Sequence, residues 1–276
     1  MKKTLLVALA LGATATATVS MAASIDPEQS RQDLVKYFKA KNPNIDISAY
    51  KNGAYIYSAD KMSQFKAVME FPPYLDAIDA GEALYNKDKA VYDKCFGSDV
   101  TKVRVMFPRF DEKTQQVQTL EGQINQCRTD AGLKPFKWKK GDIAKLSAFY
   151  ADQARGQKIH VVINSEGAKK AFLAGEKFFI TPHGQLNLSC AKCHTYNAGR
   201  KARANILSPN LGHTTGFPVF RAKWQELGTL HRRYGGCNKN MRLKPFKAQS
   251  EVYRNLEFYE AYMDNGLEIN GPSYRE

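Results

Sequence analysis

The sequence is short of acids where it is richest in bases: from Cys190 to Lys247 a single acid, Glu226, stands against twelve Lys and Arg, leaving that stretch at +11. Tryptophan is scarce, with two residues, and cysteine and histidine number five each in 276. No run beyond the first 22 residues approaches 18 consecutive apolar positions, which excludes a later membrane span. No nucleic-acid-binding module is recognisable, so the basic stretch predicts an anionic ligand or an acidic protein partner rather than nucleic acid. A second cysteine pair at zinc-site spacing is also missing, which argues against a structural zinc. At 25% charged and 43% hydrophobic residues, the composition excludes disorder and fits a globular chain of one large or two small domains.

At the N-terminus, Lys2-Lys3 precedes an uncharged run from Thr4 to Val19 and then Ser20-Met21-Ala22. This pattern reads as a cleaved signal peptide over residues 1–22 and predicts a periplasmic protein. The mature chain retains a net charge of about +12.

The cysteines are Cys95, Cys127, Cys190, Cys193 and Cys237. Cys190-Ala-Lys-Cys193-His194 has the CxxCH spacing of a c-type haem attachment site: two thiols on one turn add across the haem vinyl groups, and the adjoining imidazole reaches the iron. One covalent haem c is therefore expected. A redox dithiol is the competing reading.

An internal repeat orders the remaining three cysteines. Ala80-Gly81-Glu82 precedes Cys95 much as Ala174-Gly175-Glu176 precedes Cys190, and Lys134-Pro-Phe-Lys137 follows Cys127 at the same distance as Lys244-Pro-Phe-Lys247 follows Cys237. In the first copy the haem motif is broken: Ser98 and Asp99 stand where Cys193 and His194 stand in the second. We therefore expect a mainly α protein of two tandem cytochrome c-like domains, a haem-less one over residues 23–158 and a haem-binding one over 159–276. Cys95, left without haem, is expected to form a disulfide with Cys127, the alternative being two separate buried thiols. Cys237 falls on the distal side of the haem, where Met241, His213 and His231 compete with it on spacing. Arg232, Arg233 and two glycines directly precede it, as a reactive sulfur approached by an anion would require.

Helices are expected from a cap at Asp142 through Ile143, Leu146, Phe149 and Tyr150, from Ser165 to Glu176, and from a cap at Ser250 through Val252, Leu256, Tyr259 and Tyr262. Lys158–Asn164 reads as a short β-prone boundary, and residues 205–218 as a loop at the haem edge. His160 and His183 read as structural. The first 55 mature residues carry no legible chemistry.

The segments CAKCHTYNAGRK, LSPNLGHTTGFPVFRAKWQELGTLHRRYGGC, LEFYEAY and GLEINGPSYR, with FPRFDEKTQQVQTLEGQINQC earlier, resemble the SoxA family of cytochrome subunits over nearly all of the chain after Phe71. The resemblance implies an L-cysteine S-thiosulfotransferase that joins thiosulfate oxidatively to a cysteine of the carrier SoxYZ and works beside a SoxX cytochrome subunit. It implies Cys190 and Cys193 as haem attachments, His194 as proximal ligand, Cys237 as distal ligand and catalytic sulfur, carried as a persulfide in the family, and Arg233 as substrate-binding. Arg232, Arg200 and Arg203 are weaker candidates for the anion. The sequence CFGSD at 95–99 matches the single-haem members. Competing functions are a monohaem electron-transfer cytochrome and a thiosulfate dehydrogenase forming tetrathionate.

Overall fold

The computed structural model describes residues 26–276, so the signal segment 1–22 lies outside the described residues. Among the described residues ten α-helices carry the fold: α1 (Pro27–Lys41), α2 (Ala59–Glu70), α3 (Leu75–Lys87), α4 (Lys89–Phe96), α5 (Val100–Val103), α6 (Leu120–Asp130), α7 (Asp142–Gln153), α8 (Glu166–Ile180), α9 (Leu230–Asn240) and α10 (Glu251–Met263). Short antiparallel pairs join them: β1 (Arg109–Asp111) with β2 (Gln116–Gln118), β3 (Lys201–Ala202) with β4 (Asn205–Ile206), and β5 (Val219–Arg221) with β6 (Glu226–Gly228). The C-terminal strand β7 (Ser273–Arg275) adds parallel to β5. None of these helices is long and apolar enough to cross a membrane.

The same succession of elements occurs twice. Hairpin β1–β2, helix α6 and its cysteine recur 110 residues later as β5–β6, α9 and Cys237, while Cys95 and Cys190 are 95 apart. The second half therefore holds 15 more residues between its two cysteines. Each half is built on one close helix crossing. A Cβ on Gly81 of α3 would lie 2.2 Å from the Lys145 carbonyl oxygen of α7, and one on Gly175 of α8 would lie 2.1 Å from that of Asn255 on α10. Only glycine lets these backbones approach so closely.

Around the first crossing pack Tyr85, Tyr92, Ile124, Leu146, Phe149 and Tyr150, with the Tyr85 and Phe149 rings 5.4 Å apart. Around the second pack Phe172, Phe179, Tyr253, Leu256, Phe258 and Tyr259, and this core also takes Leu34, Phe38 and Tyr50 from the N-terminal segment. Residues 27–57 thus pack against the second half, although in sequence they precede the first.

Ser165 caps α8 by accepting the Ala168 N–H, as expected, and the helix continues past Glu176 to Ile180. Ser250 holds the N-cap position of α10, without a side-chain capping bond. Asp142 is not a cap: it is the first residue of α7, and Gly141, with φ of 67°, occupies the cap. Lys158–Asn164 is not a strand. Residues 157 and 159 exchange backbone hydrogen bonds with 266, 267 and 269, but the Asn265 side chain then takes both backbone groups of Val161 and the ladder stops. The 205–218 stretch is loop apart from β4 at its start, and it is pinned by Asp264, which accepts from Gly212 N, Thr214 N and Thr214 Oγ1.

Candidate functional site

The CxxCH segment runs into a single wide π-helical turn over Lys192–Tyr196. Ser189 Oγ accepts the Lys192 N–H at 3.0 Å and starts it, and Asn197 Nδ2 closes onto the Lys192 carbonyl at 2.7 Å. Its C-terminal carbonyls would otherwise face solvent, and the N-terminal segment satisfies them: Lys41 Nζ donates to Thr195 O at 3.0 Å and Tyr196 O at 3.1 Å, and Tyr37 OH to Thr195 O at 3.2 Å. Gly199 packs against the ring of Tyr57, and a Cβ on Gly212 would lie 2.2 Å from the Tyr50 carbonyl oxygen. The segment without legible chemistry braces the ligand-bearing loop from outside.

His194 Nδ1 lies 2.9 Å from the Ser208 carbonyl oxygen, so the ring donates there and its Nε2 is left without a protein partner among the described residues. Burial holds the imidazole below the ordinary histidine range, and the charge of Arg233 acts in the same sense, so His194 is neutral near pH 7. Behind it stands His213, with Nε2 3.1 Å from His194 Nδ1 and Nδ1 2.7 Å from Glu260 Oε1. Burial raises Glu260 to about 7, and its second oxygen accepts the hydroxyl of Tyr234 from α9. A buried chain of His194, His213, Glu260 and Tyr234 therefore ties the CxxCH turn to the helix that carries Cys237.

Cys190, Cys193 and Cys237 are unbonded and partly buried. Burial raises the pKa of both Cys190 and Cys193, with Glu260 and then Cys237 adding to the rise in Cys190 and Cys237 adding to that in Cys193. Arg233 lies one helical turn before Cys237, its Nη1 3.9 Å from where a Cβ on Gly236 would be. Arg232 is engaged elsewhere, stacked 4.2 Å over Trp224 and paired with Glu226 at 3.0 Å. Arg200 and Arg203 are exposed on the outer loop. Of the competing distal candidates, His213 lies behind His194, and His231 is buried 3.1 Å from Glu257. Met241 is buried beyond the end of α9, its carbonyl oxygen against the Gly184 turn. His160 is exposed, and His183 stacks on Phe178 at 4.4 Å.

One residue of the site escaped sequence reasoning. Arg221 on β5 donates to the Glu276 carbonyl through Nε at 3.1 Å and Nη2 at 2.6 Å. Burial brings its pKa down to about 10, with the charge of Arg233 acting in the same sense and Cys237 opposing it. Nothing in the spacing of Arg221 signals this, since the β5–β7 pairing and the C-terminus create its position.

In the first half, Cys95 and Cys127 are joined as a disulfide, as expected. Gln123, the counterpart of Arg233 at the 110-residue offset, has its Nε2 3.6 Å and 3.7 Å from the two bonded sulfurs.

Comparison with known proteins agrees with this geometry. Residues 80–159 match the family model "SoxA/TsdA, cytochrome c domain", a span that falls on the half with the broken motif. The protein named L-cysteine S-thiosulfotransferase subunit SoxA of Chlorobaculum tepidum is 46% identical with both chains fully covered, and its namesake in Allochromatium vinosum is 42% identical with 95% of each covered. The chain belongs to the SoxA family. The crystal structure of SoxXA from P. pantotrophus superposes with a TM-score of 0.69 at 29% identity, covering 78% of this chain and 84% of that one. As a SoxA cytochrome the chain is expected to hold haem c covalently. Its residues fit that group: two unbonded thiols on one turn, an imidazole oriented through Nδ1 with Nε2 without a partner among the described residues, and a third free thiol on α9.

Proposed function

We propose that this chain is the haem-bearing, substrate-handling subunit of an L-cysteine S-thiosulfotransferase that joins thiosulfate to a cysteine of a SoxYZ-type carrier. The observation that carries the reading is the unbonded Cys237 on α9, one helical turn after Arg233, in a chain whose CxxCH turn keeps two further free thiols. Thiosulfate is a dianion, and a buried sulfur meets it only where cations offset the repulsion and the loss of hydration.

In this reading Cys190 and Cys193 would attach a single haem c through their thiols, and His194 and Cys237 are the residues that would hold its iron. The group would accept electrons released when sulfur–sulfur bonds form. Arg233 and Arg221 hold the sulfonate of thiosulfate with its sulfane sulfur toward Cys237. Joining that sulfur to the Cys237 thiolate gives Cys–S–S–SO₃⁻ and releases two electrons. Attack of the carrier thiolate on the sulfane sulfur then passes the S–SO₃⁻ unit to the carrier and regenerates the Cys237 thiolate. Two electrons exceed what one haem stores, so a second cytochrome subunit of the SoxX kind completes the enzyme. The export pattern over residues 1–22 supports a periplasmic location. A division into haem-less and haem-binding domains near 158/159 suits the two helix crossings, with residues 27–57 assigned by packing to the second.

The deciding experiment is the intact mass of the carrier after incubation with thiosulfate and an electron acceptor, using complexes containing wild type or Cys237→Ala. The expected result is an added S–SO₃ unit with wild type and none with the variant. An unmodified carrier with tetrathionate accumulating in solution would indicate a dehydrogenase. An unmodified carrier and no sulfur product, with normal electron exchange, would indicate an electron carrier.

A further inference from the structure

The first half shows what cysteines at these two positions do when no haem lies between them: Cys95 at the end of α4 and Cys127 on α6 are bonded. Their counterparts are Cys190 and Cys237, and the surrounding frame is shared. Both halves rest on the same glycine crossing. Both cysteine-bearing helices end alike, with Ala131 N donating to Cys127 O at 3.2 Å and Met241 N to Cys237 O at 3.1 Å. Leu133 N donates to Arg128 O at 2.8 Å, and Leu243 N to Asn238 O at 2.9 Å. The 15 extra residues of the second half lie between the CxxCH turn and β5, where Gly199 packs against Tyr57 and Gly212 against Tyr50.

We propose that in the haem-free chain Cys190 and Cys237 form a disulfide equivalent to Cys95–Cys127, and that this bond blocks haem attachment until it is reduced. The sulfurs of Cys190 and Cys237 join, each thiol gives up its proton, and the two electrons reduce an incoming low-molecular-weight disulfide, such as oxidised glutathione, to two thiols. Cys193 is the spare thiol, because its counterpart in the first half is Ser98. Like Cys95–Cys127, the bond would restrict the unfolded chain, here by closing a separation of 47 residues. The pairing is independent of the transfer chemistry. Only its effect on loading rests on the attachment reading above, and peptide mapping and haem content report the two separately.

The test is non-reducing peptide mass mapping of the full chain, exported by cells that lack cytochrome c maturation and quenched with acid and a thiol-alkylating reagent. The expected digest contains a 190–237 linked peptide, lighter by two hydrogens than the sum of its parts, with Cys193 alkylated and the 95–127 link present. A Cys190–Cys193 link, or alkylated Cys237, overturns the proposal, as does random pairing without the 95–127 link, since the haem-free chain must reach its native frame. Cys193→Ser leaves only the two proposed partners beside the first disulfide, and failure to link them overturns it equally. For loading, covalent haem per chain, read as the pyridine haemochrome in cells with limited thiol reduction, is expected to be higher in Cys237→Ser than in wild type. Equal content overturns the blocking role.

Discussion

The two halves of this protein stabilise one helical frame by different covalent means. The first joins the end of α4 to α6 through Cys95–Cys127 and fills the remaining space with Tyr85, Tyr92, Phe149 and Tyr150. The second keeps its equivalent sulfurs unbonded, leaves an imidazole nitrogen without a partner among the described residues and carries Arg233 one turn before Cys237. Reactive groups thus remain where the frame is left open, and the closed copy shows what the frame does when it is not.

The largest effect on stability is expected from opening the closed half. Replacing Cys95 and Cys127 together by Ser frees a 32-residue separation and should cost about 3 to 4 kcal/mol in the chain-entropy account, measured by chemical denaturation, with the haem spectrum unchanged. Loss of haem binding in that variant would mean the halves are less independent than their cores suggest. Next come the crossings. Gly81→Ala and Gly175→Ala each force a methyl against a backbone carbonyl and should cost about 3 kcal/mol, but only Gly175→Ala should lower haem content.

A pH dependence should separate the halves further. Glu260 titrates near 7 in the folded chain because it is buried, and near 4.5 when unfolded. The folded state therefore binds an extra proton between those values. The stability this confers is full below pH 4.5 and lost as pH rises through 7, about 3 kcal/mol. Glu260→Gln should flatten the wild-type decline in denaturation free energy between pH 5 and 7.5; an unchanged slope would assign the decline to another group. The smallest effect is expected at Lys41→Met, which removes two hydrogen bonds to the CxxCH turn and should cost about 1 kcal/mol in thermal unfolding of the haem-bearing half.

Much of this was legible in the sequence because paired features carried it. Ser165 before an apolar period gave α8, and the spacing of Cys127 and Cys237 to their Lys-Pro-Phe-Lys motifs gave the disulfide. The alternation of Ile159, His160, Val161 and Val162 does separate buried from exposed faces, yet a strand requires a continuing partner, and Asn265 interrupts it. Arg221 was illegible because its place depends on pairing with the last strand of the chain. The brace formed by residues 27–57 was illegible for another reason: it works through backbone carbonyls, which leave no residue-type signature.

That brace also sets an order of assembly. Its contacts with the second half join positions far apart in the chain, Tyr37 with Thr195, Arg31 with Asn265 and Lys51 with Glu268, whereas the first half's crossing and disulfide join positions 64 and 32 residues apart. Contacts of such long range form late because a large loop must close first. During synthesis and export, residues 27–57 wait without their partner until almost the whole chain has emerged, and a fragment beginning at residue 159 would leave the outer side of its ligand turn uncovered.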